Sequence, residues 1–191
     1  MGPNAILQMI PVLDRLGGEG RRTQMLAAAG IFEVPDGSAM IPESDAARLH
    51  QVLRREEPEM APTLAAYAGV ATGRYILTHR IPKPVQTVLR ALPAWLAAPM
   101  LARAITQHAW TFAGSGTFTA VDAWTFEIRE NPLIAGEHSD HCLCHWHAAV
   151  FTTLYRALVH TACLCLEATC GAQGKGIPCR FEVRVERREG G

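Results

Sequence analysis

The sequence predicts an α+β fold in which a helical N-terminal half is followed by an antiparallel sheet packed on helices. Three observations support this. Apolar residues recur at helical spacing through the first two-thirds of the chain, and from Gly114 the period changes to two. A chain of 191 residues with 49% apolar content can also fill one core, which argues against disorder or a small disulfide scaffold. The expected organisation is one domain, with residues 1–113 as its helical part and 114–191 carrying the sheet.

Asn4 is the expected N-cap of a first helix bearing Ile6, Leu7, Ile10 and Leu13, which Gly17 and Gly18 stop. Arg21 to Ala29 forms a second, closed by Gly30, and Pro35-Asp36-Gly37 marks a turn. Ser44 is the expected cap of a helix with Ala46, Leu49, Val52 and Leu53 on one face, ending at Pro58. The Ala-rich stretch from Pro62 to Thr78 continues the helical series. Between His79 and Ala113, Val85, Val88, Leu89, Leu92, Trp95, Leu96, Met100, Leu101 and Ile105 line two further helices punctuated by prolines. These apolar residues suit either buried core or the wall of a ligand cavity.

Thr117 to Ala120 and Ala123 to Arg129 then flank Val121-Asp122 as a hairpin, with Trp124, Phe126 and Ile128 sharing a face. A His- and Cys-rich entry, His138 to His147, leads into a helix reaching Val159. Strands Ala162 to Thr169 and Cys179 to Arg187 close the chain around the Gly-rich loop Gly171 to Pro178.

Eighteen basic and eighteen acidic residues cancel, so no overall field gathers nucleic acid or anionic membrane, and protonation of eight histidines turns the chain cationic below about pH 6.5. No basic residue precedes Arg15, no cleavage site follows, and Ile6 stands where a myristoylation signal needs Ser or Thr, so neither a secretory leader nor a lipid anchor is read. The most apolar stretch, Ala91 to Ala102, is interrupted by Pro93 and Pro99 and is well short of a bilayer span. A cytoplasmic protein without an integral membrane segment is expected, and in a reducing compartment its six cysteines are thiols or metal ligands.

Cys144, Glu167, Cys170 and Cys179 form the strongest constellation. If the last two strands pair, Cys170 and Cys179 meet across the hairpin mouth, Glu167 lies just before, and Cys144 at a helix start supplies a fourth corner; three thiolates and a carboxylate suit tetrahedral zinc. Buried reduced cysteines are the alternative. Cys142 and Cys144, two residues apart, face different directions if both are helical, so one of them is a poor ligand, and nothing directs Cys163 and Cys165 to the hairpin end. His138, His141, His145 and His147 form a second cluster, in which His141 and His145 at i, i+4 can bind a metal, hold the axial site of a metallotetrapyrrole, or simply be a solvated helix entry. The order Gly171, Gly174, Gly176 fits no dinucleotide loop, Lys175 is not followed by Ser or Thr, and G-x-S-x-G, H-E-x-x-H and basic-aromatic stripes are missing.

Asn131-Pro-Leu-Ile134, the Cys144-led helix, Glu167-Ala-Thr-Cys170, the Gly-rich loop and Cys179-Arg-Phe-Glu-Val183 together resemble the 4-vinyl-reductase domain family, of the bacteriochlorophyll 4-vinyl reductase type in photosynthetic bacteria. The resemblance implies the fold of vesicle-tethering complex subunits, a homodimer, and structural zinc on Cys144, Glu167, Cys170 and Cys179, making 114–191 the zinc- and ligand-binding core. Zero net charge and abundant apolar helix also favour the dimer. The resemblance further implies bacteriochlorophyll biosynthesis, with two readings.

In the first, the chain binds a magnesium tetrapyrrole intermediate, of magnesium-porphyrin or protochlorophyllide type, and presents it to a partner enzyme of the pathway. In the second, it is an 8-vinyl (4-vinyl) reductase of divinyl precursors that draws on an external electron donor, since no redox-cofactor motif is visible. A small-molecule sensor or dimeric adaptor is a third. For the pigment, helices between Val85 and Trp110 with Trp124 and Phe126 would form walls, Arg90 or Arg103 would meet a propionate, and His108 or His145 would be the axial ligand.

Overall fold

Residues 1–186 are described by the computed structural model; the predicted strand end at Arg187 lies outside them, as do residues 188–191. Short α1 (Asn4–Leu7) leads into α2 (Ile10–Ala28), whose helical path breaks where Gly18 takes φ +71°, so the expected stop at Gly17-Gly18 separates two helical pieces. Gly30, at φ +70°, closes the second piece: its N–H bonds the Ala27 carbonyl and that of Ile31 bonds Leu26, which satisfies the last turn.

Two expected caps are corrected. Asn4 lies inside the first turn and its side chain accepts from Gln8. The cap of α3 (Glu43–Glu56) is Pro42, and Ser44 faces Asp45 instead. Neither proline offers a side-chain acceptor, and the carboxylate of Glu43 instead takes the N–H and hydroxyl of Ser115 at 2.7 and 2.6 Å, tying the helical half to the start of the sheet.

Helices α4 (Ala61–His79), α5 (Lys83–Ala91), α6 (Ala94–Gln107) and α7 (Trp110–Ala113) complete the helical part. Pro93 separates α5 from α6, whereas Pro99 sits on the exposed side of α6 without ending it. Strands β1 (Thr117–Ala120), β2 (Thr125–Arg129), β3 (Cys163–Thr169) and β4 (Cys179–Val185) form one antiparallel sheet in the order β1-β2-β4-β3. α8 (His145–Leu158) lies between the sheet and α4.

Phe126, Phe181, Val183 and Cys165 point from the sheet into the core, where Phe151 and Tyr155 of α8 meet them. On the other side α8 approaches α4 so closely that a side-chain carbon at Gly69 would collide with the Trp146 carbonyl oxygen and stand 2.8 Å from Ala149 Cβ. One cluster of buried side chains runs from Met1 to Val183 and draws on both the helices and the sheet.

Candidate functional site

Local geometry gathers the four residues expected to bind metal. β3 ends at Thr169 and β4 begins at Cys179, so the hairpin mouth sets Cys170 beside Cys179; Cys144 is the N-cap of α8, docked at the same end of the sheet. Glu167 accepts the Cys144 N–H at 2.7 Å, which brings its carboxylate to the thiols. One ligand atom from each of Cys144, Glu167, Cys170 and Cys179 lies within 4.8 Å of the others. The Cys144 and Cys179 sulfurs are 3.4 Å apart, too far for a disulfide and near the roughly 3.8 Å edge of a tetrahedron with zinc–sulfur bonds of about 2.3 Å.

The electrostatics favour a cation. Hydrogen bonds from Cys144 and Cys179 hold the Cys170 thiol down to about 2, while burial pushes Cys144 well above the ordinary thiol value. Cys179, eased by Cys144 but opposed by Cys170 and by burial, is pushed up to about 12, and burial followed by the Cys170 charge raises Glu167 to about 8. Four acids this close do not all ionise without a positive charge among them. Glu167 Oε1 is buried without a hydrogen-bond partner among the described residues, an acceptor that a metal would satisfy. The donor set therefore fits a metal ion.

Asn131, which in the sequence opens the Asn-Pro-Leu-Ile motif, lies against two of these thiols. Its side-chain carbonyl accepts from Leu133 N–H, and its amide donates to Cys144 Sγ at 3.2 Å and towards Cys179 Sγ at 3.6 Å. Gly171 N–H adds a donor to Cys179 at 3.4 Å. Thiolates gain from such donors, and the Asn-Pro step before an apolar run was the one available signal. Arg54 of α3 fastens this segment by donating to the Glu137 carboxylate and, at 2.7 Å, to the Leu133 carbonyl. Cys142 stands aside, its thiol donating to the Glu167 carbonyl, and Cys163 and Cys165 are buried along β3.

The histidines do not form the expected cluster. α8 begins at His145, so His141 precedes the helix and the i, i+4 pairing is lost; His138 and His141 are exposed and His147 is buried. A partly open cavity of about 480 Å³ lies between α3, α4 and the segment 139–145, with Leu53, Pro62, Ala65 and Leu143 on its apolar wall and Arg54, Cys142 and His145 beside them. Burial lowers the pKa of His145. Of the residues named for a pigment, only His145 lines this cavity. His108 is an exposed C-cap of α6, Phe126 is wholly buried in the core, Trp124 packs on Tyr155, and Arg103 is exposed; Arg90 donates to the Ala157 carbonyl and to Gln86.

The class defined by this architecture is an α+β protein, similar in fold to H-NOX domains, with a Cys₃Glu corner able to hold a metal. The chain superimposes on an Fe(II) unliganded H-NOX protein mutant from K. algicida with TM-score 0.64 at 10% identity, covering 99% of this chain and 98% of that one. An oxygen-binding H-NOX domain related to soluble guanylate cyclases, in its oxygen complex, gives 0.52 at 11% identity with both chains fully covered. These likenesses establish the fold alone, and they replace the expected vesicle-tethering subunit fold.

The chain is 52% identical over 191 residues to the bacteriochlorophyll synthase 23 kDa chain of Cereibacter sphaeroides, covering 98% of this chain and 92% of that one. It is 45% identical to the protein of the same name from Rhodobacter capsulatus, covering 99% and 89%. It belongs to the family of bacteriochlorophyll synthase 23 kDa chains, proteins of bacteriochlorophyll biosynthesis. No protein-family model matches the chain, and the relatives do not extend the assignment to the 4-vinyl-reductase domain family.

Proposed function

We propose that this protein holds a magnesium tetrapyrrole intermediate of bacteriochlorophyll synthesis and presents it to a partner enzyme, with zinc at Cys144, Glu167, Cys170 and Cys179 as a structural fastener. The observation that carries the reading is the half-open apolar cavity, whose wall includes the imidazole of His145 one residue from the metal-type corner. A cavity of this size falls within the range that takes small organic ligands, and its open side leaves room for part of a macrocycle to project towards a second protein. Structures of the same fold have been used to probe heme distortion in the H-NOX family, and relatives of this chain are named as one chain of a synthase; both support the reading.

His145 is the axial-ligand candidate that the cavity favours, since His108 lies on the outer surface. Bound zinc supplies charge neutralisation and cross-linking at its corner rather than chemistry on the pigment. His145 and Leu143 orient the ligand, and the aliphatic wall excludes water.

Titrating purified protein with magnesium protoporphyrin tests the proposal. A shifted Soret band with quenched tryptophan emission is expected, together with a His145→Ala spectrum that differs from wild type while His108→Ala does not. Neither shift nor quenching would leave the sensor or adaptor reading in front.

A further inference from the structure

Charge is unevenly distributed along this neutral chain. Between Met60 and Val121 there are five lysines and arginines and not one aspartate or glutamate, whereas the remaining sequence has thirteen basic against eighteen acidic residues. Every ion pair among the described residues lies outside that segment. Arg74, Arg80, Lys83, Arg90 and Arg103 are thus cations with no carboxylate partner among the described residues.

The middle of this segment is the α5–Pro93–α6 unit, which is anchored inward through Leu89, Ala97, Leu101 and Ile105. Its outward side is apolar instead of polar. Val85 and Val88 on α5 and Trp95, Leu96 and Met100 on α6 stay in solvent, Trp95 at 70% and Val88 at 52% of their full exposure. Helical spacing aligns Leu96, Met100 and Arg103 in one stripe, and Lys83 opens α5 two residues before Val85. Exposed apolar side chains in consecutive short helices, with tryptophan among them and long basic side chains at the margin, have the composition of an element that lies in a membrane interface. The helices are too short to cross a bilayer, and no helix among the described residues is long and apolar enough to do so.

We propose that α5 and α6 are the surface by which this protein rests on an anionic lipid bilayer. A lipid surface is favoured over a protein partner by the sign of the charge: a protein interface mixes charges of both signs around its apolar centre, while anionic headgroups present one sign, and so does this segment over more than sixty residues. Trp95, Leu96 and Met100 enter below the headgroups while Lys83 and Arg103 remain among the phosphates.

The test uses the full chain with its metal, sedimented with vesicles of phosphatidylcholine alone or mixed with phosphatidylglycerol. Binding about tenfold or more stronger to the anionic vesicles is expected, weakening with salt and accompanied by a blue shift of tryptophan emission. Trp95→Ser and Lys83→Glu should each weaken binding about tenfold with unchanged thermal unfolding; neither residue lines the cavity on which the proposed function rests, so a failure here leaves that proposal untouched. Equal partition into neutral and anionic vesicles, or undiminished binding by both variants, would overturn the proposal. So would the absence of vesicle binding combined with a dimer that Trp95→Ser dissociates, which would assign the face to a second copy of the chain.

Discussion

The flank of α8 and its N-terminus are held by different physics. Along α4, at Gly69 and Gly73, the hold is steric: missing side chains let the helices approach, and Thr153 and Ala149 occupy the space a Cβ would need. At the N-cap the hold is chemical, through Cys144, Glu167, Cys170, Cys179 and the Asn131 amide. The first contact is indifferent to metal, redox state and pH, while the second, built of thiols and a carboxyl, responds to redox state and pH and would respond to a bound metal. A single helix thus carries a permanent joint and a conditional one.

The sharpest break in this comparison is Cys170→Ser or Cys179→Ser. Both should lower metal content and melting temperature together, by several kcal/mol for a metal-loaded protein, and a chelator should reproduce the loss in wild type. Stoichiometric metal retained in both variants would remove them as ligands. Gly69→Ala attacks the steric joint and should cost about 3 kcal/mol by urea denaturation, with the same loss measured with or without chelator. A loss that disappears on chelation would mean the two joints are not independent.

Acid should affect a third group of contacts. Burial lowers the pKa of His50 to about 3, its imidazole bonded to the Ala5 carbonyl at 3.2 Å, and burial likewise lowers that of His147 to about 4. Both folded values are depressed, so the unfolded chain takes up protons first: this contribution is complete above about pH 6.5 and falls as pH drops towards the folded values. Between pH 6.5 and 5.5 the pair should cost about 2 kcal/mol, and denaturation curves of His50→Phe should show about half that slope. The smallest effect belongs to Asn131→Ala, about 1 kcal/mol in stability with a tenfold or greater loss of metal affinity, measured by competition with a chromogenic chelator.

Periodicity and punctuation revealed most of the fold. Gly18 and Gly30 mark real helix ends because their positive φ values are cheap only for glycine, and alternation in Cys179 to Val185 marks a strand buried on one side. The caps were misread because capping depends on where the first turn begins, and proline claimed that position at Pro3 and Pro42. Hairpin arithmetic around Cys170 and Cys179 was enough to bring together four residues able to hold a metal. Asn131 escaped because a donor to sulfur has no spacing rule, and the pigment walls were placed on α5 and α6 because exposed and buried apolar residues look alike in a sequence. The turn where His141 stands could not be told from the helix that His145 begins.

The sheet order carries a further consequence, this time for assembly. β4 is the last of the four strands to be made, yet it occupies an interior position, pairing β2 on one edge and β3 on the other. Until it arrives β2 and β3 each expose an unpaired edge, and Cys144, Glu167 and Cys170 wait for their fourth companion. Nascent chains are therefore open to edge pairing with one another while the four-acid corner is still incomplete, and both conditions end in the same event, when Cys179 enters the sheet.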